Sequence, residues 1–111
     1  IVSRLKELII TGGFNVYPVE VEEVLRNHPD IDDVAVVGLP RSDGSEIVTA
    51  AITLNEGAAL DPEGLKEYCR TQLTRYKVPR KFFHFEDMPR DMMGKIRRRD
   101  VRDQIIERHN L

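Results

Sequence analysis

The 111-residue sequence lacks several features that mark whole classes of protein. It has one cysteine, Cys69, and a lone thiol cannot form an internal disulfide, so we expect a reducing compartment and place the protein in the cytoplasm. No apolar run exceeds about one strand in length, so we expect no transmembrane segment. No signal peptide is visible. The first residue is Ile1 rather than methionine, which suggests a piece of a longer protein.

Motifs for metal, phosphate or nucleophile chemistry are also missing. Cys69 has no cysteine neighbour and the 3 histidines are far apart, so we expect no metal site. Gly94 and Lys95 resemble the end of a P-loop, but Pro89 and Ile96 stand where that motif needs glycine and a hydroxyl residue. The 17 basic and 19 acidic residues nearly cancel, so we expect no nucleic-acid partner.

What is present predicts one small α+β domain. Apolar residues make up 41% and charged residues 32%, which is typical of a globular chain of one-domain length. Gly12 and Gly13 mark a tight turn, and Pro18 and Pro62 suit the first position of a helix. Cys69 lies on the apolar face of its predicted helix and is interpreted as a core residue. We expect a small three-stranded β-sheet flanked by helices, with a short N-terminal β-hairpin. The strands are predicted over residues 6–11, 33–40, 46–54 and 81–85. The last helix is predicted over residues 96–107.

Two segments are not explained by packing. Residues 4–22 follow the pattern R-x-[KD]-[DE]-x-I-x-x-x-G-x-N-[VI]-x-P-x-E-[VI]-E, and residues 89–98 contain P-[KR]-x-x-x-G-K-[IV]. With the intervening segments 36–40 and 73–79, they resemble the C-terminal domain of the adenylate-forming superfamily. This superfamily includes acyl-CoA synthetases, peptide-synthetase adenylation domains and beetle luciferases. The resemblance covers essentially the whole chain and is strongest to fatty-acid–CoA ligases.

The resemblance implies an ATP-dependent acid–thiol ligase that works in two half-reactions. A large N-terminal domain, absent from this chain, would bind ATP and the carboxylic acid, for which a fatty acid is expected. The carboxylate attacks the α-phosphate to give an acyl-adenylate, and the thiol of coenzyme A then attacks the adenylate. Residues 1–111 would be the mobile C-terminal domain that rotates between these steps. Mg²⁺ is expected in the full-length enzyme but not on this domain, and the isolated domain is expected to be inactive.

Site residues are assigned by the motif positions that they match. Arg4 resembles the arginine that approaches the ribose hydroxyls of the nucleotide, and Lys6 resembles the hinge residue about which the domain turns. Gly13 resembles the glycine that lines the pantetheine tunnel. Gly12 and Asn15 belong to the same motif and are assigned to the same coenzyme A site.

Lys95 resembles the lysine that bridges the carboxylate and the α-phosphate in the first half-reaction. Its chemistry fits this role, because a protonated ammonium on a long stem can offset the charge that builds on those oxygens. Gly94, immediately before Lys95, predicts that the lysine lies on a flexible loop. Asp91, Met92 and Met93 stand where many relatives have hydroxyl and small residues, which predicts a more apolar approach to the site.

Other interpretations stay open. The acceptor could be a carrier protein, which would make the parent protein an acyl-AMP ligase. The arginines at residues 97–99 and Arg102 could instead dock a stand-alone binding module on an anion. Acidic residues interleave with these arginines, which favours a solvated helix face. Some of these arginines, with Arg80 and Lys81, could also contact the 3′-phosphate of coenzyme A.

Overall fold

The computed structural model describes residues 8–109. In this part the chain starts with an antiparallel hairpin of strands β1 (Ile9–Thr11) and β2 (Phe14–Val16). Gly12 and Gly13 form the turn with φ angles of 56° and 88°, which glycine adopts without steric cost. The N-terminal hairpin is therefore confirmed. The strand predicted over residues 6–11 included Leu8, but β1 begins at Ile9.

A three-stranded sheet forms the centre of the domain. Strand β3 (Ile31–Pro40) pairs antiparallel with β4 (Glu46–Leu54), and β4 pairs parallel with β5 (Lys81–His84), in the order β3-β4-β5. Around it lie helices α1 (Pro18–Arg26), α2 (Pro62–Arg70) and α3 (Arg98–His109) and a short 3₁₀ turn (Arg75–Lys77). The predicted α+β class and three-stranded sheet are confirmed.

Helices α1 and α2 begin where the sequence predicts, because their first residues suit the backbone groups at the start of a helix. Pro18 and Pro62 each occupy a first helical position, where the N–H that proline lacks would have no partner in the helix. Asp61 caps α2, since its carboxylate accepts a hydrogen bond from the Gly64 N–H at 3.2 Å.

The sheet is buried on both faces, as its nearly continuous apolar strands predict. On one face, α1, α2 and the hairpin cover a core that includes Val34, Val36, Ile52 and the fully buried Cys69. On the other face, α3 covers a second core built from Ala35, Val37, Leu39, Ala51, Phe85, Met88, Val101 and Ile105. Burial raises the pKa of the Cys69 thiol to about 11, which fits the core role predicted for it.

Side chains satisfy backbone groups along the edge of β3 that does not face β4. Glu22 accepts a hydrogen bond from the Val36 N–H at 2.8 Å. Arg26 donates to the Val34 carbonyl at 3.5 Å, and Arg102 donates to the Gly38 carbonyl at 2.9 Å. Unpaired backbone groups at a covered edge would destabilise the fold, so these three side chains fix where α1 and α3 can pack.

The last helix differs from its prediction in two ways. It begins at Arg98, not at Ile96, because Ile96 forms an antiparallel bridge with Arg90 and the Arg97 N–H donates to the Pro89 carbonyl at 2.8 Å. The solvated-face interpretation is wrong for Arg98, whose guanidinium donates to the Glu22 carboxylate at 2.7 Å. Alternating charges along the helix gave no sign of this partner, which is 76 positions away.

The Glu22–Arg98 pair should contribute strongly to stability. Glu22 is 4% exposed, so the Glu22→Gln variant removes a buried charge beside a guanidinium and should lose about 3 kcal/mol of unfolding free energy. The matched control is Glu20→Gln on the same helix, which removes the exposed pair with Lys77 and should cost much less. Urea denaturation of the purified chain measures both. Equal losses would show that the Glu22 pair is no more important than a surface contact.

Candidate functional site around Lys95

Lys95 ends a short, internally hydrogen-bonded loop at residues 91–95, which we call the Lys95 loop. One Asp91 carboxylate oxygen accepts from the Met93 N–H at 2.8 Å and from the Lys95 N–H at 3.0 Å. The Asp91 N–H donates in turn to the Lys95 carbonyl at 2.8 Å. Gly94 has a φ of 85°, a conformation that other residues rarely adopt. The flexible loop that Gly94 predicted is therefore a closed turn organised by Asp91.

The side chain of Lys95 is exposed although its backbone is held. Among residues 8–109, its ammonium has no hydrogen-bond or ion-pair partner. Met92 and Met93 are also exposed, at 102% and 85%, and they make the tip of the loop apolar as the sequence predicts. The loop thus presents one available positive charge beside two apolar side chains.

Arg90 connects the Lys95 loop to the central sheet. Its Nη1 donates to the Gly94 carbonyl at 2.9 Å, and its Nη2 donates to Asp33 Oδ2 at 2.8 Å. Asp33 is on β3, where it also accepts from its neighbour Val34 N–H at 2.8 Å and from Arg26 at 3.3 Å. Sequence reasoning missed these supports, because neither a period nor a motif pairs residues 57 positions apart.

An open cleft lies between α1 and the Lys95 loop. Cationic residues outnumber acidic ones in its lining, where Glu22, Asp33 and Asp91 are the acidic side chains. The cationic residues are Lys95, Arg26, Arg90, Arg97, Arg98 and Arg99. A surplus of positive charge at an exposed lysine suits an anionic ligand such as a phosphate or a carboxylate.

Electrostatics hold Asp33 in its charged form. Partial burial alone would raise the pKa of the Asp33 carboxyl, but the hydrogen bonds from Arg90 and the Val34 amide, together with Arg26, hold that pKa below its ordinary value. The same contact raises the pKa of Arg90. The ion pair behind the Lys95 loop is therefore fully charged at neutral pH.

The residues predicted for the coenzyme A site lie on the hairpin. Gly12, Gly13 and Asn15 are all exposed, and apart from the adjacent residues in the chain no heavy atom of residues 8–109 lies within 4 Å of the place that a Cβ would occupy at either glycine. None of the three lines the cleft at Lys95, so the two predicted sites occupy different parts of the surface. Arg4 and Lys6 lie outside the described residues.

The hairpin is attached to the central sheet by a carboxylate. The Ile10 N–H donates to Glu46 Oε1 at 3.2 Å, and Phe14 stacks on Tyr76 with 4.4 Å between ring centroids. The outer surface of this region is apolar, since Ile10, Phe14, Tyr17 and Val19 are about half exposed. The glycine turn is therefore presented by a fixed hairpin with an apolar surface.

The basic residues predicted for the 3′-phosphate of coenzyme A divide between two clefts. Arg80 and Lys81 line one cleft with Arg41 and Arg75, whereas the arginines at 97–99 line the cleft at Lys95. The structure does not bring these two groups together.

Residues 8–109 contain no helix with the length and apolar character that crossing a membrane requires. No cluster of His, Cys, Asp and Glu side chains there could hold a metal ion.

Comparison with known proteins identifies the family. The profile of the AMP-binding enzyme C-terminal domain matches residues 20–95. The chain therefore belongs to the C-terminal domain family of AMP-binding enzymes, as the motifs at its two ends predict.

The matched relatives are synthetases and ligases of much greater length. A long-chain-fatty-acid–CoA ligase of Bacillus subtilis is 40% identical over 111 residues, which is all of this chain and 20% of the relative. The structure of a fatty acyl CoA synthetase of Mycobacterium tuberculosis is 42% identical with a TM-score of 0.84, over 91% of this chain and 20% of that one. An amide bond synthetase of Marinactinospora thermotolerans is 39% identical with a TM-score of 0.83, over 92% and 21%. The chain thus spans about a fifth of the length of these relatives.

The ion pair behind the loop can be tested by titration. We expect the Asp33 carboxyl to titrate below its ordinary value of 3.8, and Arg90→Gln to raise its pKa. Because the pKa is lowered on folding, the charged carboxylate stabilises the fold above that ordinary value, and this contribution is lost as the pH falls through the folded-state pKa. Carbon NMR of the carboxyl groups measures the shift.

Asp43 is the control for that titration. Hydrogen bonds from the Ser45 side chain and backbone lower its pKa, and Arg90 is not among the causes. It should titrate identically in Arg90→Gln and in the unchanged chain. An Asp33 pKa that does not respond to Arg90→Gln would contradict the ion pair.

Proposed function

We propose that this chain is the mobile C-terminal domain of an ATP-dependent, AMP-forming acyl-CoA ligase, and that Lys95 serves its adenylation half-reaction. The observation that carries the proposal is the Lys95 ammonium, which has no partner within residues 8–109 and stands on an ordered loop at the position of the family's lysine motif. The sequences of fatty-acid ligases support a fatty acid as the substrate. ATP, the acid and Mg²⁺ would be bound mainly by a preceding N-terminal domain, the principal partner of this one.

In the first half-reaction, a carboxylate oxygen of the acid attacks the α-phosphorus of ATP. The new bond gives an acyl-adenylate, and pyrophosphate leaves with the electron pair of the broken bond. The negative charges of the carboxylate and the α-phosphate approach each other in this step. A fixed cation that contacts an oxygen of each group therefore lowers the barrier. Lys95 must be protonated for this task, in contrast to a lysine that acts as a general base.

In the second half-reaction, the sulfur of coenzyme A attacks the acyl carbon and AMP leaves. We propose that the domain first rotates about Lys6, which moves Lys95 away and brings the Gly12–Gly13 turn to the pantetheine arm. The open space beside both glycines supports this role, because their backbone can approach a ligand without a side chain between them. Asn15 lies on the same hairpin, and Arg4 would approach the ribose of the nucleotide.

Coenzyme A is the proposed acceptor of the acyl group. One relative of similar identity is an amide bond synthetase, so domains of this kind serve enzymes that differ in the acceptor they use. An acyl-AMP ligase that loads a carrier protein is therefore the second candidate.

The cytoplasmic location also stays a prediction.

A stand-alone anion-docking module is disfavoured by the contacts of Arg97 and of two arginines on α3. Arg97 pairs with Asp100, Arg98 pairs with Glu22, and Arg102 donates to the Gly38 carbonyl. These guanidinium groups already serve the fold, so they are poorly placed to form a docking surface.

The isolated domain should also show no ligase activity, because the reactants would not be brought together.

The Lys95→Ala variant of the full-length protein tests the central assignment. Loss of one preorganised charge should slow adenylate formation by about a hundredfold to a thousandfold. With pre-made acyl-adenylate and coenzyme A, the same variant should form thioester at nearly the original rate, since Lys95 has then moved away. Pyrophosphate release and thioester formation are measured separately.

Two further variants control that experiment. Lys95→Arg should recover activity only in part, because a planar guanidinium replaces a compact charge. Lys77→Gln removes a different lysine, which pairs with Glu20, and should leave adenylate formation unchanged. Normal adenylate formation by Lys95→Ala would mean that the domain has the family's fold without this chemistry.

The hinge is tested by Lys6→Pro in the full-length protein. Proline fixes φ, so one of the two backbone states should become unreachable. Thioester formation should then fall far more than adenylate formation. An equal loss in both half-reactions, or none in either, would argue against a hinge at this residue.

A further inference from the structure

We infer that Arg90 and Asp33 are positioning residues that hold Lys95 in its reactive place. The inference rests on the function proposed above for Lys95. Neither residue contacts the reacting atoms; each acts through the backbone of the Lys95 loop.

The peptide unit between Gly94 and Lys95 is fixed on both sides. Its carbonyl accepts from Arg90 at 2.9 Å, and its N–H donates to the Asp91 carboxylate at 3.0 Å. Rotation of this peptide plane would swing the direction in which the Lys95 side chain leaves the backbone. Since Gly94 imposes no side-chain restriction on that rotation, these two hydrogen bonds are the contacts that hold the peptide plane directly.

Asp33 transmits the rigidity of the sheet to the loop. It lies in β3, whose neighbouring residues Val34 and Ala35 are fully buried, and it accepts from the Val34 N–H of its own strand. The other carboxylate oxygen of Asp33 accepts a hydrogen bond from Arg90 Nη2 at 2.8 Å. The guanidinium is therefore a rigid link between a strand of the core and the peptide unit that carries Lys95.

The shape of the arginine side chain matters for this link. A guanidinium is planar and holds its two Nη groups in a fixed relation, so one group can serve Asp33 while the other serves the Gly94 carbonyl. A lysine at residue 90 could keep the charge but would lose this fixed geometry. Small errors in the placement of a catalytic group cost large factors in rate.

The experiment compares both half-reactions in variants of the full-length protein. Arg90→Gln should lower the kcat of adenylate formation by about tenfold to a hundredfold, with KM for ATP and for the acid changed by no more than about twofold. Asp33→Asn should change the same step in the same direction, but less. Thioester formation from pre-made acyl-adenylate should stay near its original rate in both variants, which loss of folding would not allow.

The controls separate positioning from general stability. Lys77→Gln breaks an ion pair of similar length, 2.9 Å, that does not contact the Lys95 loop, and it should leave both half-reactions unchanged. Arg90→Lys should fall between Arg90→Gln and the original protein, and it serves as the test if Arg90→Gln does not fold. Hydrogen exchange at the Lys95 amide should become faster in Arg90→Gln.

The double variant Lys95→Ala/Arg90→Gln gives the sharpest result. If Arg90 acts through Lys95, the double variant should be no slower in adenylate formation than Lys95→Ala alone. A further loss in the double variant, or an equal loss in both half-reactions of Arg90→Gln, would overturn the inference. If Lys95→Ala is impaired but Arg90→Gln is normal, only this inference fails; if Lys95→Ala is normal, the proposed function fails first.

Discussion

The carboxylate of Glu22 is the interaction on which the rest of the domain depends. One of its oxygens accepts a hydrogen bond from the Val36 N–H, at the edge of β3 that does not face β4. The same carboxylate also accepts from the guanidinium of Arg98. A strand edge covered by a helix needs such an acceptor, and a buried carboxylate needs a cation. One side chain thus fixes helix α1 against the sheet and fixes the chain just after the Lys95 loop. The motifs at the two ends of the sequence are joined by this pair.

The elements of the fold were readable from local patterns, whereas the supports of the candidate site were not. Apolar runs identified β3 and β4, prolines identified the starts of α1 and α2, and Gly12-Gly13 identified the hairpin. The Lys95 loop was located by its motif, but Gly94 alone suggested mobility because the two hydrogen bonds to Asp91 cannot be inferred from residue types. Partners far apart in sequence, such as Arg90 and Asp33, depend on how strands and helices pack, which periodicity does not encode.

The hairpin and the Lys95 loop reach rigidity by the same means on different parts of the surface. Each presents a glycine with positive φ, and each is connected to the central sheet by a carboxylate: Glu46 for the hairpin and Asp33 for the loop. A Cβ at Gly38 would lie 2.9 Å from the carboxyl carbon of Glu46, so a side chain there would displace the carboxylate that holds the hairpin. If the two surfaces serve successive half-reactions, as proposed above, this arrangement keeps the shape of both while the domain rotates.

The parallel pairing of β4 with β5 has a consequence for the order of folding. Strands β3 and β4 are joined by a short turn and can pair early, but β5 can join β4 only after the chain has passed through α2. Contacts that close long chain segments cost more entropy and form later. The Glu22–Arg98 contact closes the longest of the segments described above, 76 positions. We expect the Lys95 loop to be ordered at the end of folding, so a newly made chain gains a positioned ammonium only when the rest of the domain is complete.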